Sequence, residues 1–247
     1  MDTVVVIPAR FGAQRLPGKP LLSRTGKPLI QHVYEQVRKA RVPAEVVVAT
    51  DDRRIFDAVR GFGGRVVMTA KDHASGTDRV AEVARALKCG FLINVQGDEP
   101  EIEPALIDRV ARTLHEDQDA DWVTAVLPCQ GSKALENPAV VKVAADRAGY
   151  ALYFSRAVIP HARGAKGGIP AKALVHIGIY GFRREALSRF TRLKPSPLER
   201  TERLEQLRAL EHGMRIRLVE TRRASRSIDT PEDYRAFVAR QQRRPRR

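Results

Sequence analysis

Four short apolar runs constrain the fold of this chain more than any other feature. They are rich in β-branched residues and read TVVVIP (residues 3–8), EVVVAT (45–50), RVVMT (65–69) and FLINVQ (91–96). Strands that are covered by helices on both faces have this nearly continuous apolar pattern. Segments with helical spacing of apolar residues follow the runs, at residues 29–41, 52–62, 76–87 and 104–115. The alternation predicts an α/β fold with a mostly parallel sheet flanked by helices.

The strand–helix alternation stops after residue 128. Residues 139–156 predict two strands around a turn at 146–149, and residues 173–183 predict another strand. We therefore expect a single domain over residues 1–247 that carries an antiparallel insertion at about residues 130–185. Residues 164–170 are rich in glycine and predict a loop.

The last third of the chain predicts two more helices with a strand between them. One continuous helix of good helix formers is expected to begin near Ser196 and Pro197 and to end at Gly213. Residues 215–221 predict a strand, and the last helix is expected to begin near Asp229. The basic tail, residues 242–247, is expected to be disordered.

Composition indicates a soluble, cytoplasmic protein. No apolar run approaches the roughly 18 residues of a membrane span, and the start, MDTVVVIPAR, lacks the features of a signal peptide. Cys89 and Cys129 have no CxxC spacing, which favours free thiols in a reducing compartment. The net charge of +15 keeps a nucleic-acid-binding protein as an alternative. The basic stretches lack clustered aromatic residues, however, which disfavours nucleic acid as the main partner.

A basic loop follows the first predicted strand. The sequence IPARFGAQRLPGKPL (residues 7–21) places Arg10, Arg15 and Lys19 around two glycines, with no acidic residue among them. Ligands of open α/β sheets bind at the carboxyl ends of the strands, where this loop is expected. Three charge-assisted donors suit a polyphosphate, although a solvated turn is the alternative. The pattern is neither a Walker A loop nor GxGxxG.

Carboxylates at the same sheet edge predict a metal site. Asp98 follows the fourth predicted strand, with Glu99 as its near competitor. Mg²⁺ binds one or two carboxylates together with phosphate oxygens and water. Asp229 is the candidate second ligand, and its alternative role is the N-cap of the last helix.

Motifs along nearly the whole chain resemble the 3-deoxy-manno-octulosonate cytidylyltransferases, or CMP-Kdo synthetases. In order they are IPARFGAQRLPGKPL, ATDD, HASGTDR, NVQGDEP, YFSRAVIP, HIGIYGFR, SPLERTERLEQLRALEHG and DTPEDY. The resemblance implies a Rossmann-like nucleotidyltransferase fold and a homodimer. The reaction it implies is CTP + Kdo → CMP-Kdo + pyrophosphate, a step of lipopolysaccharide biosynthesis, where Kdo is 3-deoxy-manno-octulosonate.

The resemblance also implies roles for individual residues. The nucleotide-binding residues would be Pro8, Ala9, Arg10, Arg15, Lys19, Ser75, Gly76, Thr77 and Asp98, with Arg10, Lys19 and Asp98 catalytic. Asp98 and Asp229 would bind Mg²⁺, which would orient the α-phosphate. The sugar-binding residues would be Gln96, Arg156, His176, Tyr180, Glu205 and Gln206.

The chemistry of the sugar-binding set suits an acid sugar. Arg156 can bind a carboxylate bidentately, and the other side chains offer donors and acceptors for hydroxyls. Glu205 and Gln206 are expected on one helix, where adjacent residues point about 100° apart and reach different hydroxyls. His176 and Tyr180 have an alternative role as core residues.

Two segments depart from the family pattern and leave the exact sugar open. Residues 222–227 read RRASRS where the family often has a glycine-containing stretch, and the segment between Arg156 and His176 is short and basic. Cytidylyltransferases for 8-amino-Kdo or sialic acid, and more distantly a guanylyl- or uridylyltransferase for a sugar phosphate, are therefore kept as alternatives.

Overall fold

The computed structural model describes residues 2–12, 16–73, 75–130, 132–223 and 225–243. The chain forms two compact units, the first comprising Met1–Asp108 with Ser225–Arg247 and the second Arg109–Ala224. The boundary between them falls within helix α4 (Pro104–Glu116). The insertion expected at residues 130–185 lies inside the second unit, which begins earlier and ends later in the chain.

The first unit is a parallel sheet with helices between its strands. Its elements are β1 (Thr3–Ala9), α1 (Leu29–Val37), β2 (Glu45–Thr50), α2 (Arg53–Gly61), β3 (Val66–Met68), α3 (Gly76–Ala86), β4 (Phe91–Val95) and, from the end of the chain, α9 (Pro231–Gln242). The strand order is β3-β2-β1-β4, and each of these pairings is parallel. The four strands and their parallel arrangement confirm the sequence prediction.

Side-chain caps fix where the helices of the first unit begin. The Asp52 carboxylate accepts a hydrogen bond from the Arg54 N–H at the start of α2. Ser75 caps α3 in a reciprocal capping box with Asp78, which satisfies N–H groups that a helix leaves unpaired at its first turn. The first cap places the amino end of α2 just after strand β2. The second places the amino end of α3 after the short segment that follows β3.

Helix α9 returns the end of the chain to the first unit. Ile228, Tyr234, Phe237 and Val238 form a buried cluster with Leu29 of α1. The Tyr234 hydroxyl also accepts a hydrogen bond from the Arg24 N–H at 2.8 Å. This packing fixes the position of the residues immediately before α9, which include Asp229.

The second unit has mixed strand directions, as expected for its middle part. Its elements are β5 (Trp122–Cys129), α5 (Ser132–Glu136), β6 (Lys142–Ala145), β7 (Ala151–Ser155), β8 (Ala173–Arg183), α6 (Arg184–Phe190), α7 (Pro197–Glu202), α8 (Gln206–Glu211) and β9 (Ile216–Glu220). β8 pairs antiparallel with β5 and β6, β7 pairs antiparallel with β6, and β9 pairs parallel with β5. Trp122 is fully buried and meets Phe182 and Phe190 edge-on, with ring centroids 4.8 and 4.7 Å apart.

The prediction of one continuous helix over residues 196–213 was wrong. This segment divides into α7 and α8 because Arg203 adopts a left-handed conformation with φ of 54°. Good helix formers on both sides of Arg203 conceal this break in the sequence. Glu205 consequently lies at the N-cap of α8, and only Gln206 is in the helix.

Smaller differences concern the loops and the end of the chain. The segment at residues 164–170 contains a 3-10 turn at Lys166–Gly168. Helix α9 includes Gln242, the first residue of the expected tail, whereas residues 244–247 lie outside the described part of the chain. Among the described residues, no helix combines the length and apolar character needed to span a bilayer.

Candidate functional site

A cavity of about 490 Å³ opens at the carboxyl ends of β1 and β4 in the first unit. This volume lies within the usual range for small-molecule sites. Residues predicted from the sequence line it: Pro8, Ala9, Arg10, Lys19, Ser75, Gly76, Gln96, Asp98 and Asp229. Thr77 is buried and is not among the lining residues. Arg15 lies outside the described residues.

Lys19 joins the two predicted metal ligands. Its Nζ donates hydrogen bonds to Asp98 Oδ2 at 2.7 Å and to the Ile228 carbonyl at 2.8 Å, and it lies 3.4 Å from Asp229 Oδ1. The Lys19 side chain is 13% exposed, against 25% for Asp98 and 51% for Asp229. The two carboxylates, 131 positions apart in sequence, therefore converge on a single cationic nitrogen.

Backbone contacts hold Asp98 and Asp229 at this place. The Ile228 N–H donates to the Asp98 carbonyl at 3.0 Å, which ties the segment before α9 to the end of β4. Thr230, and not Asp229, is the N-cap of α9, in a capping box with Asp233. The Asp229 carboxylate is therefore not used for capping and remains available to a cation.

Glu99, the competitor of Asp98, has a different environment. Burial raises the pKa of its carboxyl to about 7, and the charges of Asp98 and Asp229 act in the same direction. Glu99 is also not among the residues that line the cavity. Of the two carboxylates, only Asp98 lines the cavity.

The basic loop is held by contacts on both sides of residues 13–15, which lie outside the described part of the chain. The Gly18 N–H donates to the Phe11 carbonyl at 3.1 Å, and Gly18 has a φ of 67°, which glycine adopts without strain. The Arg54 guanidinium lies 3.4 Å from the centre of the Phe11 ring and is paired with Asp52. Arg10, next to Phe11, is exposed at the cavity, and within the described residues no acid pairs with it.

Sequence reasoning assigned no role to two further side chains that line the cavity, Arg79 and His73. Arg79 is 4% exposed and donates from Nη2 to Asp51 Oδ2 at 2.8 Å, while Nη1 contacts the Thr69 hydroxyl. His73 pairs through Nε2 with the Glu82 carboxylate. Arg79 lies in the first turn of α3, one helical turn after the N-cap Ser75, and this spacing was the available signal.

Gly97 lies where β4 approaches the backbone of β1. A Cβ at this position would lie 2.8 Å from the Pro8 carbonyl oxygen. We expect Gly97→Ala to displace Asp98, to weaken binding of the nucleotide that the resemblance implies about tenfold or more, and to lower the free energy of unfolding by about 1–3 kcal/mol. Calorimetric CTP titration and urea unfolding measure both effects. Gly61→Ala is the matched control, since its Cβ meets nothing within 4 Å, and equal affinities in both variants would contradict the expectation.

In the second unit, backbone carbonyls orient Arg156. Its Nε donates to the Glu202 carbonyl at 2.8 Å, Nη1 to the Pro138 carbonyl at 3.0 Å, and Nη2 to the Arg203 carbonyl at 3.4 Å. Two of these acceptors lie at the end of α7, where a helix leaves carbonyl groups unpaired. The guanidinium is held by neutral groups, so its charge is available to an anion.

His176 and Tyr180 form the aromatic part of the same unit's predicted sugar site. The Thr124 hydroxyl donates to the Ile179 carbonyl at 2.7 Å, so its oxygen accepts from His176 Nε2 at 2.9 Å. We infer that neutral His176 carries its proton on Nε2 and presents Nδ1 as an acceptor. The rings of His176 and Tyr180 lie 5.3 Å apart.

Of the other predicted sugar-binding residues, Glu205 and Gln206 lie in the second unit and Gln96 lies in the first. Burial raises the pKa of the Tyr180 hydroxyl, and the charge of Glu205 adds to this effect, which places Glu205 near Tyr180. Gln206 is 2% exposed at the start of α8. Gln96 lines the cavity of the first unit, and its Nε2 donates to Asn94 at 3.2 Å. Its assignment to the sugar stays a prediction.

Burial of His176 predicts a pH dependence of stability. Burial lowers the pKa of His176 from 6.5 to about 4, so the unfolded chain takes up its proton first as the pH falls. Stability should therefore decrease between pH 6.5 and 4, by up to about 3 kcal/mol from this residue. Urea unfolding of the protein and of His176→Gln at pH 7 and pH 4.5 isolates the contribution. The same pH dependence in both proteins would contradict it.

The carboxylates of Asp98 and Asp229 fit a Mg²⁺ ion whose other ligands come from the substrate and water. Asp98 and Asp229 already share one cation, the Lys19 ammonium, at 2.7 and 3.4 Å. Within the described residues, no cluster of three or more His, Cys, Asp or Glu side chains forms a metal site. Mg²⁺ commonly binds one or two carboxylates and takes its other ligands from phosphates and water, so a pair is sufficient.

Comparison with known proteins decides the family. Residues 4–216 match the family model described as cytidylyltransferase. The 3-deoxy-manno-octulosonate cytidylyltransferase of Geobacter sulfurreducens is 48% identical over 241 residues, which cover 94% of this chain and 96% of the relative. The chain belongs to this family of cytidylyltransferases. The corresponding enzyme of Syntrophotalea carbinolica is 49% identical over 239 residues, with 94% of this chain and 96% of the relative covered.

Solved structures agree with the family and the fold. A CMP:2-keto-3-deoxy-manno-octonic acid synthetase complexed with CTP has a TM-score of 0.92 and 42% identity, over 97% of this chain and 98% of its own. A nucleotidyl transferase from Methanothermobacter thermautotroptrophicus, 20% identical, has a TM-score of 0.65 over 98% of both chains and supports the fold alone. The resemblance and the Rossmann-like nucleotidyltransferase fold expected from the sequence are confirmed.

Proposed function

We propose that the chain transfers CMP from CTP to Kdo, releases pyrophosphate and requires Mg²⁺. The observation that carries the proposal is the convergence of Lys19, Asp98 and Asp229 at the cavity that Arg10 lines. Cations that can hold a triphosphate lie there beside two carboxylates that suit a divalent ion. The relatives that bear the name of this activity match nearly the whole chain.

The first unit would hold the nucleotide. The cavity offers the amino end of α3, where Ser75 and Gly76 line it, and a helix amino terminus favours phosphate. Arg10 and Lys19 would bind phosphate oxygens and stabilise the charge that develops on the departing pyrophosphate. Asp98 and Asp229 would hold Mg²⁺. When bound, Mg²⁺ neutralises phosphate charge and favours ionisation of a neighbouring hydroxyl.

The second unit would hold the acid sugar. Arg156 would bind the carboxylate, while His176, Tyr180, Glu205 and Gln206 would contact hydroxyls. The anomeric hydroxyl oxygen would form a bond to the α-phosphorus while the bond from that phosphorus to the bridging oxygen of pyrophosphate breaks. The hydroxyl proton would pass to solvent water, and pyrophosphate would leave with the electron pair of the broken bond. Orientation and electrostatic stabilisation account for the catalysis, and no covalent enzyme intermediate is needed.

Further parts of the proposal come from the family resemblance. The product would serve lipopolysaccharide biosynthesis, and the protein would act in the cytoplasm as a homodimer. Within the described residues, neither Cys89 nor Cys129 forms a disulfide, which fits a reducing compartment. Light scattering of the purified protein tests the dimer, and a monomer mass across micromolar concentrations would contradict it.

A pyrophosphate-release assay tests the function. We expect turnover with CTP, Kdo and Mg²⁺ that exceeds turnover with UTP, GTP or ATP, and with sialic acid, by about a hundredfold. EDTA should abolish the release, and added Mg²⁺ should restore it. Faster turnover with 8-amino-Kdo or sialic acid would change the assigned sugar. A salt-dependent gel shift with nucleic acid and no CTP turnover would contradict the proposal.

A further inference from the structure

Lys142 is a fully buried lysine in the second unit. Its Nζ donates to the carbonyls of Asn137 at 3.1 Å, Val140 at 2.6 Å and Arg156. The three donors of an ammonium group are thus all used on backbone oxygens. Burial of a charged group is costly unless its partners are complete, so this arrangement calls for a reason beyond packing. Its contacts point to Arg156.

Lys142 supports both the main chain of Arg156 and its guanidinium group. One contact fixes the Arg156 main-chain carbonyl. The other two fix the turn from Asn137 to Val140, which is closed by a hydrogen bond from the Val140 N–H to the Asn137 carbonyl at 3.0 Å. Pro138 lies inside that turn, and its carbonyl accepts from Arg156 Nη1. The ammonium therefore orders both the backbone of Arg156 and one acceptor of its guanidinium.

Glu202 completes the support with the opposite charge. Its carboxylate accepts from the Ser155 hydroxyl at 2.6 Å and from the Arg156 N–H at 2.9 Å. The charges of Lys142 and Glu202 balance each other, so Arg156 contributes the remaining positive charge of this group. Within the described residues, three of its five N–H groups bind carbonyls, which leaves two for a carboxylate.

We propose that Lys142 is a positioning residue for acid-sugar binding, which aims the Arg156 guanidinium at the sugar carboxylate through the Asn137–Val140 turn and the Arg156 carbonyl. The inference rests on the proposed function, since it assigns Arg156 to the sugar. A residue that acted only in folding would affect the binding of both substrates. Loss of the ammonium should weaken the sugar and leave the nucleotide unaffected.

The test is steady-state kinetics of Lys142→Met with each substrate varied in turn. We expect the KM for Kdo to rise about tenfold or more, while kcat stays within about threefold and the KM for CTP within about twofold. Val143→Ala is the control, because Val143 is a buried neighbour on the same strand whose register partners are Phe154 and Leu174. It should leave both KM values unchanged even if it lowers the melting temperature.

The remaining outcomes separate the inference from the function. If Lys142→Met does not fold, Lys142→Gln, whose amide can replace two of the three donors, should show the same selective rise in the KM for Kdo. An unchanged KM for Kdo in a folded variant, or a lower kcat with both KM values unchanged, would overturn the inference alone. If the unaltered protein fails to turn over CTP with any acid sugar, the proposed function falls and the inference falls with it.

Discussion

Replacement of Asp98 by Asn is expected to lower kcat by about three orders of magnitude, the effect of removing charge stabilisation from phosphoryl transfer. The amide keeps the shape of the side chain but loses the negative charge that would hold Mg²⁺ and that now pairs with Lys19 at 2.7 Å. The measurement is pyrophosphate release at saturating CTP and Kdo over a range of Mg²⁺ concentrations. Asp229→Asn should act in the same direction.

A surface carboxylate provides the control for Asp98. Asp57 pairs with Arg53 at 2.9 Å on an exposed face of α2 in the same unit. Exposed pairs of this kind contribute about 0–1 kcal/mol, so Asp57→Asn should leave turnover and stability nearly unchanged. If Asp98→Asn kept kcat within about threefold of the unaltered protein, with the same Mg²⁺ dependence, the metal assignment would be wrong.

Replacement of Lys19 by Met should have two opposite effects. The loss of a phosphate-binding cation is expected to lower kcat/KM for CTP by about a hundredfold or more. In the nucleotide-free protein, however, the same change removes the cation that Asp98 and Asp229 share. We therefore expect divalent-ion affinity to rise about tenfold, since a hydrogen bond between charged groups contributes about 1.5–3 kcal/mol. Electron paramagnetic resonance of a Mn²⁺ titration measures this without turnover.

The opposite signs make the Lys19 prediction specific. Lys27→Met is the control, because Lys27 forms an exposed pair with Glu35 in the same unit. It should change neither the kinetics nor the Mn²⁺ affinity. A Mn²⁺ affinity that is unchanged or lower in Lys19→Met would show that the lysine does not compete with a metal for the two carboxylates.

The sheet of the first unit was predictable because its strands are covered on both faces. Runs such as Val4–Val5–Val6 can be buried in only a few ways, and β1, β2 and β4 lie where these runs predict them. The break at Arg203 was not predictable in this way. Arg203 has a left-handed conformation although arginine is a good helix former, so residue type gives no sign of the break.

The site was predictable in composition but not in its connections. The spacing of Asp98 and Asp229 does not indicate that the Ile228 N–H binds the Asp98 carbonyl, because that contact depends on how α9 packs against α1. The cap of α9, in contrast, is a local signal, because Thr230 and Asp233 have the spacing of a capping box, which releases Asp229. The bridging role of Lys19 and the burial of Lys142 depend on long-range packing.

The most direct test of the central claim is identification of the product from CTP, Kdo and Mg²⁺. By ³¹P NMR and mass spectrometry we expect pyrophosphate and an equal amount of a compound in which one phosphodiester joins CMP to Kdo. Its formation should follow the loss of CTP one for one and should fail with Asp98→Asn. Formation of CMP or CDP without a sugar-linked phosphodiester would contradict the account.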